Sequence, residues 1–291
     1  LENKIVSSSQ SRFSFELFPP RTPEATAKLS GVIDQLAVAG PAYFSITYGA
    51  GGSTQEGTYE TLMAVARQTG IAAAPHLTCV GSTKAHIAEL LDRYREAGVR
   101  RIVALRGDLP ATAMSTAAPG EFSYASELVS FIRARHGAYF TIEVAAYPEM
   151  HPQASSPSRD FEYFCRKVEA GADSALTQLF YNPDAYFDFA ERCRKAGVTI
   201  PIVPGIMPIT GFANTVKFTG GCGADLPRWI RIRLEELQND KPALVEFGIE
   251  VLTRLCRTLL DNGAPGLHFY TVNQAQPTLT LCENLGLTAR S

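Results

Sequence analysis

RFSFELFPPRTPEATAKLSGVIDQLAVAGPAYFSITY, residues 12–48, reads as strand, helix, strand. RFSFELF (12–18) and AYFSITY (42–48) are short and rich in aromatic and β-branched residues, as strands are. Between them, TPEATAKLSGVIDQLAVAG (22–40) opens on Thr-Pro-Glu, a helix start signal, and stops at Ala39-Gly40. Glycine at that point supplies the left-handed residue that ends a helix. Two strands joined by a connection this long pair in parallel, because a hairpin would need only a few residues.

The unit recurs along the chain. Further strand-like runs are IAAAPHLTC (71–79), RRIVALRG (100–107), YFTIEVAAY (139–147), SALTQLF (174–180), IPIVPGI (200–206) and GLHFY (266–270). Helical patterns separate them, and those ending at Gly98, Gly171 and Gly197 repeat the Ala-Gly stop of Gly40. The strands are mostly apolar, which predicts cover on both faces. Eight such strands in 291 residues, against about 250 for the fold, predict one domain built as an α/β (β/α)8 TIM barrel. An open doubly wound sheet is the competitor, but FPPRTP follows the first strand where a G-x-G-x-x-G fingerprint would stand. Residues 1–12 are polar and Ser-rich, and are expected to be a disordered lead-in to a domain over 13–291. Three segments exceed the simple repeat. Residues 108–122 are expected to form a mobile active-site loop, 148–158 are similar, and 220–241 with a long helix over 242–262 look like an elaboration before the last strand.

Composition narrows the function classes. The formal net charge of -2 and the lack of a basic run argue against a nucleic-acid footprint. No apolar stretch reaches the roughly 18 residues of a membrane span. Six cysteines lie scattered at 79, 165, 193, 222, 256 and 282 with no C-x-x-C pair, so free thiols in a cytoplasmic protein are expected and no metal site is.

A barrel enzyme sets its chemistry at the C-terminal ends of its strands. Those ends carry Glu16, Thr47-Tyr48, His76, Arg106-Gly107-Asp108, Tyr147, Gln178 and Tyr270, followed by a loop bearing Phe212. In a closed barrel the first strand has no free edge, so Glu16 should face the mouth. A carboxyl between Phe15 and Leu17 suits a general acid. Asp108 reads either as a loop salt bridge or as a charge beside a cofactor. His76 alone reads as a core histidine, and Gln178 as a buried amide or a hydrogen-bonding tool for a heteroaromatic edge. GAGGST (49–54) is a weak phosphate-loop signal.

Taken together, FELFPPRT (15–22), FSITYGAGGST (44–54), APHLTC (74–79), IVALRGDLP (102–110), AAYPEMHP (145–152), TQLFY (177–181), PGIMPIT (204–210) and HFYTVN (268–273) resemble the methylenetetrahydrofolate reductase family. The resemblance runs in order over about residues 13–287 and covers the catalytic domain only. It implies non-covalent FAD, NAD(P)H as the transient electron donor, and ping-pong reduction of 5,10-methylenetetrahydrofolate to 5-methyltetrahydrofolate. It further implies Glu16 as the acid that protonates the departing N10, and Asp108 beside the flavin and folate. Gln178 would contact the pterin, Phe212 would stack the nicotinamide, and Tyr270 and Gln274 would lie against substrate. Thr47, Tyr48, Ala50, His76 and Leu77 match FAD contacts of the family. So do Arg106, Gly107, Asp108, Tyr124 and Ala125, and then Tyr147, His151, Asp160, Arg166 and Lys167.

Three positions depart from the family pattern. Gln274 stands where an Arg is usual, Asn182 where an Asp is, and Tyr163 where an Asn contacts the cofactor. Donor, polyglutamate preference and direction stay open, so oxidation of 5-methyltetrahydrofolate is an alternative, as is a partner-supplied electron carrier. A proline-dehydrogenase-like barrel oxidase is a more distant one. Homo-oligomers are common in the family.

Overall fold

The computed structural model describes residues 13–48, 55–107 and 120–288. Strands and helices alternate along the chain. They run β1 (Phe13–Leu17), α1 (Pro23–Val38), β2 (Phe44–Ile46), α2 (Gln55–Thr69), β3 (Ala73–Thr78), α3 (Lys84–Glu96), β4 (Arg101–Leu105) and α4 (Ala125–His136). Next come β5 (Thr141–Ala146), α5 (Pro157–Glu169), β6 (Ser174–Thr177), α6 (Pro183–Lys195), β7 (Ile202–Val203) and β8 (Gly205–Ile206). The chain then forms α7 (Phe212–Cys222), α8 (Arg228–Glu236), α9 (Lys241–Asp261), β9 (Leu267–Tyr270) and α10 (Thr278–Asn284).

Local chemistry sets the helix ends. Thr22 caps α1 by accepting from Ala25 N at 3.2 Å, with Pro23 in the first turn. Gly40, Gly98, Gly171 and Gly197 all have positive φ, so the four Ala-Gly stops form the left-handed ends expected of them. α8 and the 21-residue α9 make up the elaboration before the last strand.

All pairings are parallel, in the order β7-β6-β5-β4-β3-β2-β1-β9-β8. The run expected as one strand over 200–206 is divided at Pro204, which has no N–H to donate. Its first half, β7, pairs β6, and its second half, β8, pairs β9. One interrupted strand therefore closes the ring, and eight strand positions form the barrel. At this seam Gly205 N donates to the Thr177 hydroxyl at 2.9 Å, and His268 N donates to Pro204 O at 2.9 Å. A Cβ on Gly205 would sit 2.1 Å from Thr177 O, so only glycine permits the closure.

Both faces of the strands are covered, as expected, but the two faces differ in chemistry. Phe13, Phe15, Leu17, Phe44, Ile46, Ile102, Ile142 and Val144 join the packed layer between barrel and helices. The alternate residues Ser14, Ser45, His76, Glu143, Ser174 and His268 are buried polar groups, bonded to or in contact with one another across the ring. A barrel interior is more commonly filled by branched apolar side chains. Here burial of the outer layer supplies most of the core, and the interior mixes hydrogen-bonding groups with apolar ones such as Val103.

Candidate active site

Glu16 ends on the inner face of β1, paired between Ser45 of β2 and Tyr270 of β9. It has no free edge. The Glu16 carbonyl accepts from the Thr271 hydroxyl at 2.6 Å, and the next turn is clipped by Asn273. The Asn273 amide accepts from Phe18 N at 3.0 Å and donates to Phe18 O at 2.8 Å. The carboxyl itself is 19% exposed. Its Oε2 lies 3.4 Å from His76 Nε2 and 3.8 Å from His268 Nε2. Burial pushes the His76 pKa down, and the nearby Glu16 only partly opposes that. Two imidazoles thus flank one carboxyl at the barrel mouth.

A cavity of about 240 Å³ opens at the ends of β4 and β5, against α4 and α5. Eight of the residues matched to flavin contacts line it, namely Arg106, Gly107, Tyr124, Ala125, Tyr147, His151, Asp160 and Lys167. Gly107 is required there: its φ is +82°, and a Cβ would meet Thr78 Cβ at 2.9 Å. Lys167 Nζ donates to Ala145 O at 2.5 Å, and burial pulls its pKa down to about 8. The Asp160 carboxylate accepts from His151 N at 2.9 Å, and Gln153 N donates to His151 Nδ1 at 3.0 Å, which fixes His151 and Gln153 in the cavity wall. Gln153 in turn accepts from the Arg106 guanidinium.

The remaining candidates fall into distinct places. Thr47 Oγ1 is buried with no hydrogen-bond partner, as is His76 Nε2. Leu77 is fully buried in the packed layer, so any role at the mouth falls to its backbone. Tyr48 is half-buried where β2 ends. Arg166 pairs with Glu162 at 2.5 Å and does not line the cavity. Gln178 accepts from its neighbour Leu179 N at 2.8 Å and lines a narrow pocket with Tyr147, Met150 and Cys222. Phe212 is half-buried at the start of α7. Tyr270 donates to Thr177 O at 2.5 Å, so its hydroxyl is committed to the seam. Gln274 is exposed in the turn after β9. Asp108, Ala50, the GAGGST loop and most of the 108–122 loop lie outside the described residues.

The other departures have structural accounts. Asn182 caps α6, its side chain accepting from Asp184 N at 3.0 Å. Tyr163 stacks on Tyr124 at 5.0 Å with an interplanar angle of 19°, at the cavity wall. Sequence reasoning missed His268, although its place two residues before Tyr270 on a strand puts both on one face. It also missed Gln153, which no motif marks.

The donor set suits a flavin dinucleotide. Arg106 and Lys167 offer cationic donors, Tyr124 and Tyr163 a stacking wall, and Gly107 a close backbone approach. Among the described residues no group of three or more His, Cys, Asp or Glu is arranged to hold a metal. No helix among them is long and apolar enough to cross a membrane.

Fold and site together define a (β/α)8-barrel protein with a carboxyl flanked by two imidazoles on β1, β3 and β9 and a separate cavity at the ends of β4 and β5. A family model for methylenetetrahydrofolate reductase matches residues 2–286, and the chain belongs to that family. It is 37% identical over 281 residues to the 5,10-methylenetetrahydrofolate reductase of Salmonella typhimurium, covering 96% of this chain and 92% of that protein. It is 38% identical over 289 residues to methylenetetrahydrofolate reductase (NADH) 1 of Zea mays, covering 96% of this chain but 49% of the plant protein. The chain thus spans about half the length of that relative. A solved Clostridium thermocellum protein, described as binding two copies of 5-methyl-5,6,7,8-tetrahydrofolic acid, shares the fold. Its TM-score is 0.65 at 16% identity, over 96% of this chain and 93% of that one.

Proposed function

We propose that this chain is an FAD-dependent oxidoreductase that interconverts 5,10-methylenetetrahydrofolate and 5-methyltetrahydrofolate, with NAD(P)H as electron donor. The observation that carries the reading is the coincidence of the Glu16 carboxyl, flanked by His76 and His268, with a groove lined by eight of the residues matched to flavin contacts. When bound, FAD supplies a two-electron hydride carrier. Arg106, Lys167, Tyr124, Tyr147 and Tyr163, which line the groove, would hold it, the two cations suiting its phosphates. Thr47 Oγ1, otherwise without a partner, has a hydrogen bond to give to a ligand in the mouth.

Glu16 holds the reacting proton. Protonating the substrate N10 makes it a leaving group and opens the five-membered ring, which leaves a cationic carbon ready to accept hydride. The Gln178 amide NH₂, its oxygen being engaged with Leu179 N, is left to donate to the pterin edge. Asp108 would stabilise the developing cation.

Purified protein, reconstituted with FAD if needed, tests this directly. It should show a flavin spectrum that bleaches anaerobically with NADH or NADPH and recovers with methylenetetrahydrofolate. No flavin spectrum after reconstitution would refute the proposal. Bleaching by 5-methyltetrahydrofolate alone would reverse the assigned direction.

A further inference from the structure

We propose that Asn273 is a positioning residue for Glu16. Its side-chain amide completes the β1–β9 ladder where the backbone leaves it, and so keeps the Glu16 carboxyl in place at the barrel mouth. The functional consequence rests on the proposed role of Glu16 as proton donor.

Glu16 is not fixed through its side chain. Among the described residues no hydrogen bond holds its carboxyl: the His76 and His268 imidazoles stand 3.4 and 3.8 Å away, and His76 Nε2 is without a hydrogen-bond partner. The direction of the carboxyl is therefore set by the chain on either side. Towards β2, Thr47 N donates to Leu17 O at 2.9 Å. Towards β9, the parallel register pairs Glu16 with Tyr270, so the next rung would fall between Phe18 and Val272. The backbone does not form that rung. Val272 and Asn273 both have φ of +52°, which turns the chain out of the strand. Pro19 and Pro20 follow Phe18 and have no N–H to donate, so Phe18 is the last residue of this segment with a full rung to make.

Side chains stand in for the missing rung. The Thr271 hydroxyl donates to Glu16 O at 2.6 Å. The Asn273 amide oxygen accepts from Phe18 N at 3.0 Å, and its NH₂ donates to Phe18 O at 2.8 Å. The amide thus offers Phe18 the acceptor and the donor that a neighbouring strand would offer. An N–H on one side and a carbonyl on the other admit one orientation of that amide. The left-handed backbone is tolerated by asparagine and unfavourable for β-branched Val272. Such strain persists where surrounding bonds over-determine it, and it clusters at functional sites. Here it lies two residues past Tyr270, the ladder partner of Glu16. Without the amide, Phe18 is released and the end of β1 can shift. No residue of the clip lines the cavity at the ends of β4 and β5, so cofactor binding there does not depend on it.

Asn273→Gly keeps the positive φ and removes the amide. Asn273→Asp keeps the acceptor for Phe18 N, loses the donor to Phe18 O, and carries the test should the glycine variant not fold. The chain has five histidines, few enough to resolve in ¹⁵N-histidine-labelled protein. The His76 signal, assigned by its loss in His76→Gln, should move in Asn273→Gly in the same direction as in Glu16→Gln, and by less in Asn273→Asp. In stopped flow the folate half-reaction of Asn273→Gly should slow about ten-fold relative to flavin reduction by nicotinamide in the same protein, with Asn273→Asp in between. In a Glu16→Gln background the same substitution should cost nothing further, because it acts through a carboxyl that is no longer there. A His76 signal unmoved by the Asn273 variants, an unchanged folate half-reaction, or an equal loss in both backgrounds overturns the inference. If His76 moves as stated but the wild type does not turn over folate, the proposed function fails and the positioning of Glu16 by Asn273 stands.

Discussion

At the scale of single residues, position in the ring decides what a side chain can do. Glu16 is held by its backbone, through Thr271 and the Asn273 clip, more than by its carboxyl. Glu16→Gln should therefore fold and still accept electrons into flavin. It should lose about 10²–10⁴-fold in the reaction with methylenetetrahydrofolate, the range expected of a general acid. Stopped-flow measurement of the two half-reactions separates these effects, and normal folate reoxidation would remove Glu16 from the mechanism. Gly107 offers a contrasting case. Gly107→Ala combines a left-handed backbone with a 2.9 Å clash against Thr78, and should cost about 1–3 kcal/mol. The cavity wall moves with it, so flavin affinity should fall too. Denaturant melts and flavin titration of the same variant would show both, and an unchanged melt would mean the turn relaxes freely.

At the scale of elements, the distinction lies between what neighbours in sequence determine and what the closed ring determines. Helix ends are local, and Asn182 is an example. It departs from the family's aspartate yet still caps α6 through Asp184 N. Asn182→Ala should cost about 1 kcal/mol, while Asn182→Asp should be neutral or slightly stabilising because a negative charge suits a helix N-terminus. Urea melts of the pair check this, and a loss in Asn182→Asp would indicate that α6 depends on the amide itself. The strand–helix alternation and the Ala-Gly stops were legible in sequence for this reason: each signal and its effect lie within a turn of one another. The division of the seventh strand was not read, although Pro204 stood in plain view. What Pro204 does depends on β6 and β9 arriving on opposite sides of it. The bonds around Glu143 and Glu16 were equally hidden. Tyr43 and Glu143 are 100 residues apart, and Phe18 and Asn273 are 255 apart. Nothing in composition or periodicity joins such pairs. Glu16 and the cavity residues were legible only because strand ends converge in this fold and because family motifs mark them. His268 carried the period-two signal but lies one layer deeper than the strand ends.

At the scale of the whole molecule, the polar interior and the cofactor groove couple ligand, charge and stability. Lys167 is the clearest case. Burial lowers its pKa from 10.5 to about 8 in the folded chain, with Asp160 only partly opposing. Between those values the unfolded chain binds the proton and the folded chain does not, so this group makes stability rise with pH from about 8 to 10.5. Below about 8 the ammonium is charged and buried, which costs stability in the unliganded protein. An anionic dinucleotide bound in the groove, as proposed, would offset that cost by pairing with the ammonium, and so would favour its protonated form. The gain in melting temperature on adding FAD should therefore be largest below pH 8 and shrink above it. Lys167→Met should melt higher than the wild type without ligand below pH 8, gain less from FAD, and lose the pH dependence of that gain. Thermal melts from pH 6.5 to 10, with and without FAD, test the sign in both proteins. A ligand-induced shift that is flat in pH for the wild type would mean that Lys167 does not face the cofactor's charge.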